Sequence, residues 1–173
     1  YVEDFPSCNF LIRKTVMQEL GGFDTKFWPG EDTFLCLKII KNRKKKIIYD
    51  PEVLVYHHRR SLFKEHLKQI ANYARHRGYF AKRFPETSLK FVYFLPSMLV
   101  SGIIIGLLLS FLNPAFRLIY ISALILYLTL AFISSINKDF RLTLLVFWGI
   151  IFTHILYGLY FVKGLLSRKL KEE

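Results

Sequence analysis

The stretch GGFDTKFWPGEDTFLCLKI, residues Gly21–Ile39, sets two adjacent carboxylates, Glu31 and Asp32, between a Gly/Pro/aromatic loop and an apolar-periodic run. Phe34, Leu35, Leu37, Ile39 and Ile40 recur with helical spacing, which predicts a helix over 31–41. A carboxylate at the start of a helix is stabilised as the anion by the free backbone N–H groups and the helix dipole. An ionised Asp32 facing a cleft can take a proton from an attacking hydroxyl, the work of a general base. The same residue type at the same place also caps helices, so Asp32 or Glu31 can simply close the helix start. Phe27 and Trp28 carry a similar pair of readings. An aromatic face suits the C–H face of a sugar ring, and an aromatic side chain equally anchors a loop into a core.

Outward from this stretch the pattern alternates. Residues 8–13 read as a short strand, and Lys14–Leu20 as a short helix closed by Gly21 and Gly22. Ile47-Ile48-Tyr49 reads as a strand stopped by Asp50-Pro51. Val53–Tyr56 reads as a second strand running into His57-His58-Arg59-Arg60. Ser61 opens a basic amphipathic helix over 61–83, with Pro85 beyond its end. Strand ends that lead into polar residues predict a mixed α/β arrangement with its ligand contacts there. His57 can ligate a divalent metal or meet a phosphate, and Arg59 and Arg60 can grip a diphosphate; a solvated basic turn explains the same four residues. The run Lys41–Lys46 is a solvated turn or a contact with anionic lipid. Gln69, Tyr73, Arg75, His76 and Arg77 either lie along a membrane surface or close over a nucleotide diphosphate.

The hydrophobic residues, 53% of the chain, are gathered in runs that exclude a wholly soluble protein. No charge falls in Phe91–Phe116, Leu118–Asn137 or Leu142–Val162. Each run matches the roughly 20 residues that cross a bilayer core, which predicts a membrane region over 91–166 with helices at about 91–112, 117–136 and 142–163. His154, near Tyr157 and Gly158 in the third run, is either a functional group or an interhelical hydrogen-bonding residue. Residues 1–90 hold 18 Lys/Arg against 10 Asp/Glu, a surplus of +8 out of +12 for the chain. That balance suits an anionic leaflet or a phosphate-bearing substrate. Nothing resembles a nucleic-acid-binding module. Cys8 and Cys36 lack metal-ligand spacing and read as small buried hydrophobes in a reducing cytosol.

Two features point beyond the chain itself. It starts at Tyr1, and about 90 residues are too few for a whole α/β nucleotide-binding domain, so preceding sequence is expected. Three crossings would also carry the charged tail 167–173, with Arg168, Lys169 and Lys171, to the side opposite residues 1–90, against the positive-inside tendency. A first run held in the interface by Pro96, with only two crossings, is the alternative.

Read in order, Asn9–Arg13, Gly21–Asp24, Gly30–Thr33, Tyr49–Pro51, Val55–Arg60 and Gln69–Gly78 resemble the C-terminal half of a membrane-anchored family 2 glycosyltransferase. The resemblance covers most of residues 1–83, and the GGFD loop followed by GED is its most specific part. It implies an α/β domain of GT-A type, of which 1–90 are the C-terminal, acceptor-side part, followed by about three transmembrane helices. It implies inverting transfer from a nucleotide-sugar donor to a glycan acceptor, lipid-linked because the anchor holds the site at the bilayer, in cell-surface polysaccharide synthesis. Asp32 would be the base and Glu31 would shape the acceptor site. Phe23, Asp24 and Trp28 would line it, with Arg59 and Arg60 on the substrate phosphates. The divalent metal, Mg²⁺ or Mn²⁺, would be held mainly by a preceding half that carries the family's Asp-x-Asp motif, with His57 as a possible ligand, and the chain alone would be inactive. Gln69 is followed by Ile70-Ala71-Asn72-Tyr73 rather than by the processive Gln-x-x-Arg-Trp pattern, which argues for transfer of a single sugar. The implied location is the cytoplasmic membrane, multi-pass, with the catalytic part cytosolic. A basic, non-catalytic membrane adaptor is the rival reading.

Overall fold

The computed structural model describes residues 1–170; Lys171, Glu172 and Glu173 of the charged tail lie outside the described residues. The helices are α1 (Lys14–Glu19), α2 (Glu31–Arg43), α3 (Lys64–Arg83), α4 (Pro85–Ser88), α5 (Phe91–Ser110), α6 (Pro114–Ser135) and α7 (Phe140–Leu166), with 3-10 turns at Ser7–Asn9 and Thr25–Phe27.

The α/β expectation is overturned. Among the described residues there is no sheet, and the β pairing is a single antiparallel bridge in which Val2 N donates to Ile47 O at 3.0 Å. Residues 8–13 form the end of a 3-10 turn and an irregular stretch, and Val53–Tyr56 has no regular structure and is exposed. β-branched and aromatic residues dispose a segment to extend, but a strand exists only when a neighbouring backbone completes its ladder. Here the 53–56 backbone meets a side chain instead, with Asn9 Nδ2 donating to Val53 O at 2.9 Å. The GT-A type arrangement implied by the resemblance is therefore not the architecture of this chain, which is helical.

Local signals explain the helix ends. Gly21 and Gly22 close α1 with φ of +72° and +71°, where a Cβ would be strained. Gly22 N donates to Met17 O at 3.0 Å and Gly21 N to Gln18 O at 3.1 Å, the paired bonds of a Schellman stop. Lys44, at φ +51°, ends α2 in the left-handed region, so part of the cationic run is a helix cap. Its neighbours are paired: Lys41 with Glu86, and Arg43 with Glu19 at 2.8 Å.

Residues 1–90 gather around an aromatic cluster. Phe27 packs against Phe34, tilted, and edge-on against Phe80 and Phe84, with ring centroids 4.5, 5.6 and 5.5 Å apart. Tyr79 and Leu170 complete this core, which brings the chain beyond α7 back onto α3. Cys36 is buried with Sγ near Phe5 O, and burial pushes its thiol up to about 11; Cys8 is exposed, contrary to its reading as a buried residue.

α5, α6 and α7, of 20, 22 and 27 residues, are each long and apolar enough to cross a membrane. α3 lies beside α7 and runs in the same direction. Leu62 meets Gly149, the His66 ring lies 3.0 Å from Thr153 Oγ1, and Lys82 Nζ donates to Ser167 O. Two glycines permit this approach. A Cβ at Gly78 would stand 2.0 Å from Phe161 O, and one at Gly164 would stand 1.9 Å from Arg75 O. Small residues of this kind let helix backbones come together. Gly158 does the same for α5, where Ser97 Oγ donates to Gly158 O at 3.0 Å.

Both obstructing atoms are backbone and cannot swing aside. Gly78→Ala and Gly164→Ala should each cost about 1–3 kcal/mol or more, read as a lower Tm in detergent. Gly102→Ala, where nothing lies within 4 Å of the added carbon, should leave Tm unchanged.

Candidate active site

A cleft of about 760 Å³ opens between the N-terminal segment, the start of α2 and α3. Its walls include Trp28, Asp32 and Arg60 from the expected site, with Lys68, Gln69, Tyr73 and Arg77 from α3 and Tyr93 from α5.

Asp32 sits in the first turn of α2. The N-cap is Gly30 and no side chain caps it. Asp32 divides its oxygens: Oδ1 accepts from Thr33 N at 2.7 Å, and Oδ2 accepts from Ser7 N at 3.3 Å. It thus serves the helix start and faces the cleft together. Glu31 is placed differently. It lies outside the cleft lining, and its Oε2 is buried with no hydrogen-bond partner. Burial, with Asp32 adding to it, holds its carboxyl above the usual range.

The two aromatic readings divide between neighbours. Phe27 is buried in the core, whereas Trp28 is 54% exposed and turned to the cleft. Phe23, 40% exposed, and Asp24 lie outside the cleft lining; Asp24 caps the following turn by accepting from Lys26 N at 3.1 Å. Arg60 reaches the cleft, and Arg59 and His57 are exposed away from it. Among the described residues no three His, Cys, Asp or Glu side chains converge on a common point, so His57 has no such set of companion ligands there. His154 forms an interhelical contact, with Nδ1 3.0 Å from Tyr127 Oη.

The floor of the cleft joins Tyr73 and Arg77, which the sequence set along a membrane surface or over a nucleotide diphosphate, to Asp4, Ser88 and Tyr93, which it did not single out. Arg77, 7% exposed, donates from Nε to Tyr73 Oη at 2.8 Å and from Nη1 to Ser88 Oγ at 3.3 Å, and its Nη2 pairs with Asp4. Tyr73 and Tyr93 lie under the guanidinium at 5.0 and 5.1 Å. Burial alone would lower its pKa, but Tyr73 and Asp4 outweigh that and hold it above the ordinary arginine value. Asp4 Oδ2 also accepts from Thr33 Oγ1 at 3.1 Å, one residue from Asp32. The available signal was the small and apolar run Ala71, Ala74, Gly78, Tyr79, Phe80 and Ala81, which leaves this half of α3 no open face for Arg77. Nothing in the sequence marked Asp4.

Against known proteins, the model for glycosyl transferase family group 2 matches residues 5–162. The chain belongs to that family. Over 87 residues it is 29% identical to the pre-mycofactocin glycosyltransferase of Mycobacterium tuberculosis, in strain CDC 1551 / Oshkosh and in strain ATCC 25618 / H37Rv. The match covers 50% of this chain and 18% of each relative's length. No solved structure matches.

Removing Arg77 leaves Asp4 without its charge partner and Tyr73 and Ser88 without their donor at a buried junction, so Arg77→Ala should lose about 3–5 kcal/mol of stability, measured by thermal unfolding in detergent. Glu31 gives a pH signature. Its folded pKa is raised, so the stability it contributes is present below the ordinary glutamate pKa and is lost as pH rises through the raised value. Glu31→Gln should therefore gain Tm over wild type at pH 7 and lose that gain at pH 4; an equal difference at both values would show that the carboxyl is not held up.

Proposed function

We propose that this chain forms the acceptor side of an inverting glycosyltransferase that moves one sugar from a nucleotide-sugar donor to a lipid-linked glycan acceptor. The observation that carries the reading is the convergence of Asp32, Trp28 and Arg60 on one cleft in a chain of this family. Asp32 Oδ removes the proton of the acceptor hydroxyl as that oxygen attacks the anomeric carbon. The new C–O bond forms on the face opposite the leaving group, and the bond to the nucleotide diphosphate breaks with its electron pair leaving on the phosphate. The sugar configuration inverts in this single displacement. Trp28 offers a ring face to a sugar, Arg60 a fork to phosphate, and Glu31 sets the start of α2 from beneath.

A divalent cation, Mg²⁺ or Mn²⁺, belongs to the same proposal as a charge partner of the donor diphosphate; the described residues present no set of ligands for it, and no step here runs through it.

Two features support a lipid-linked acceptor. α3 lines the cleft with one face and lies along α7 with another, so the cleft flanks the apolar helices. Ionisable side chains beside membrane-crossing helices face a water-filled cavity. The exposed Lys44, Lys45, Arg83, Arg168 and Lys169 suit an anionic leaflet, which favours the cytosolic face of a cytoplasmic membrane for residues 1–90.

The test uses the full-length protein in membranes with a panel of radiolabelled nucleotide sugars, following label into the lipid fraction. Asp32→Asn should reduce transfer by about 10²-fold or more while membrane insertion is unchanged. Equal transfer by the variant would remove Asp32 from the chemistry. No transfer from any donor would favour a membrane adaptor.

A further inference from the structure

The apolar helices carry an inference about how the chain meets the bilayer that is independent of catalysis. α5 begins where α7 ends. Phe94, in the first turn of α5, meets Phe161 edge-on with ring centroids 4.8 Å apart, and Pro96 O lies against Gly158. Both helices are tied there to residues 1–90. Lys90 Nζ bonds Glu3 at 2.6 Å, Tyr93 lies under Arg77, Gly164 meets Arg75 O, and Leu170 enters the Phe27 core. Three successive crossings would put these two ends a membrane thickness apart, about 30 Å. Contacts within one van der Waals layer require an even number.

The register of α6 identifies the pair that crosses. Asn137 N donates to Thr143 Oγ1 at 2.9 Å, the Phe132 and Phe147 rings are 5.8 Å apart, and Tyr127 Oη meets His154. Each step back along α6 is thus a step forward along α7. Pro114 lies 13 residues before Tyr127, and Leu166 lies 12 residues beyond His154. At 1.5 Å per residue these arms are roughly 20 and 18 Å, so α6 begins level with the end of α7. The hairpin between α5 and α6, where Arg117 Nε donates to Ser110 O at 3.3 Å, shares that level. Both ends of α5 lie on one side.

We propose that α5 enters and leaves the membrane on the side that carries residues 3–8 and the C-terminal half of α3, lying in lipid of that leaflet, and that only α6 and α7 cross. Leu62 and the first turn of α3 follow α7 inward, against Gly149 and Thr153. The lipid assignment follows from its chemistry. Val92, Leu95, Met98, Ile105 and Leu108 are exposed on a helix that is apolar on all sides, and Lys90 and Arg117 flank it at headgroup level. Charge agrees. Arg168 and Lys169 then sit with Lys82, Arg83 and Lys90, and the far loop carries only Lys138, Asp139 and Arg141.

The test labels single cysteines in the full-length protein with a membrane-impermeant maleimide, in sealed vesicles of both orientations. The exposed Cys8 reports the side of residues 3–8, and the buried Cys36 stays silent. Asn113→Cys and Lys169→Cys should label from the Cys8 side, and Lys138→Cys only from the opposite side. Labelling of Asn113→Cys or Lys169→Cys from the far side overturns the proposal. So does Lys138→Cys labelling with Cys8, or an Asn113→Cys that is shielded from both sides until detergent is added.

Discussion

A guanidinium taken out of water must find partners for its charge and for its five N–H groups, and Arg77 finds them on four different parts of the chain. Asp4 comes from the N-terminal segment, Tyr73 from one turn earlier in α3, Ser88 from α4 and Tyr93 from α5. Asp4 then reaches Thr33 at the start of α2. The elements that surround the cleft are thereby referred to one buried charge. The strap of residues 4–7, held at Asp4, is the same strap whose Ser7 N–H meets Asp32. The geometry of the proposed base and the junction with the apolar helices share a single fixed point.

How much of this was legible depended on whether a feature is local. The stop after α1 is local: two glycines supply the left-handed turn, and the bonds that close it lie within six residues. The start of α2 at Glu31 and the uncharged runs are local too, since period and charge are read along the chain. The strands were not, because Ile47–Tyr49 and Val53–Tyr56 have strand composition but a strand is a relation between two segments. Among the described residues of these two segments only Ile47 pairs in a β-bridge, and Val53 N bonds back within its own turn to Asp50 O. The roles of Trp28 and Phe27 show the same limit. They are adjacent with similar side chains, and only the packing of Phe34, Phe80 and Phe84 decides which one is buried.

Within the site, the expected residues separate by where their backbones run. Arg60 joins Trp28 and Asp32 although it is distant from them in sequence, because α2 starts and residues 53–60 end on the same side of α3. Phe23 and Asp24 precede the turn that aims Trp28, and Asp24 spends its carboxylate holding that turn. Glu31 and Asp32 are neighbours on a helix and so point about 100° apart. One faces the cleft and the other is driven toward the interior, which is why two adjacent carboxylates end with different surroundings.

The contact between α3 and α7 extends the same logic to the membrane. A helix bearing Lys64, Glu65, Lys68, Arg75 and Lys82 is an unlikely companion for an apolar one on composition alone. It is accepted because glycines at 78 and 164 replace side-chain packing with backbone contact, and because the charged face has the cleft to turn toward. Glycine here is selected for what it lacks. The close approach fixes the height of the cleft relative to the apolar helices more firmly than longer side chains would, since a backbone-to-backbone contact has no rotamers through which to slide. A cleft held at a set height beside the apolar helices suits the proposed reaction, in which the donor would come from water and the acceptor from the bilayer.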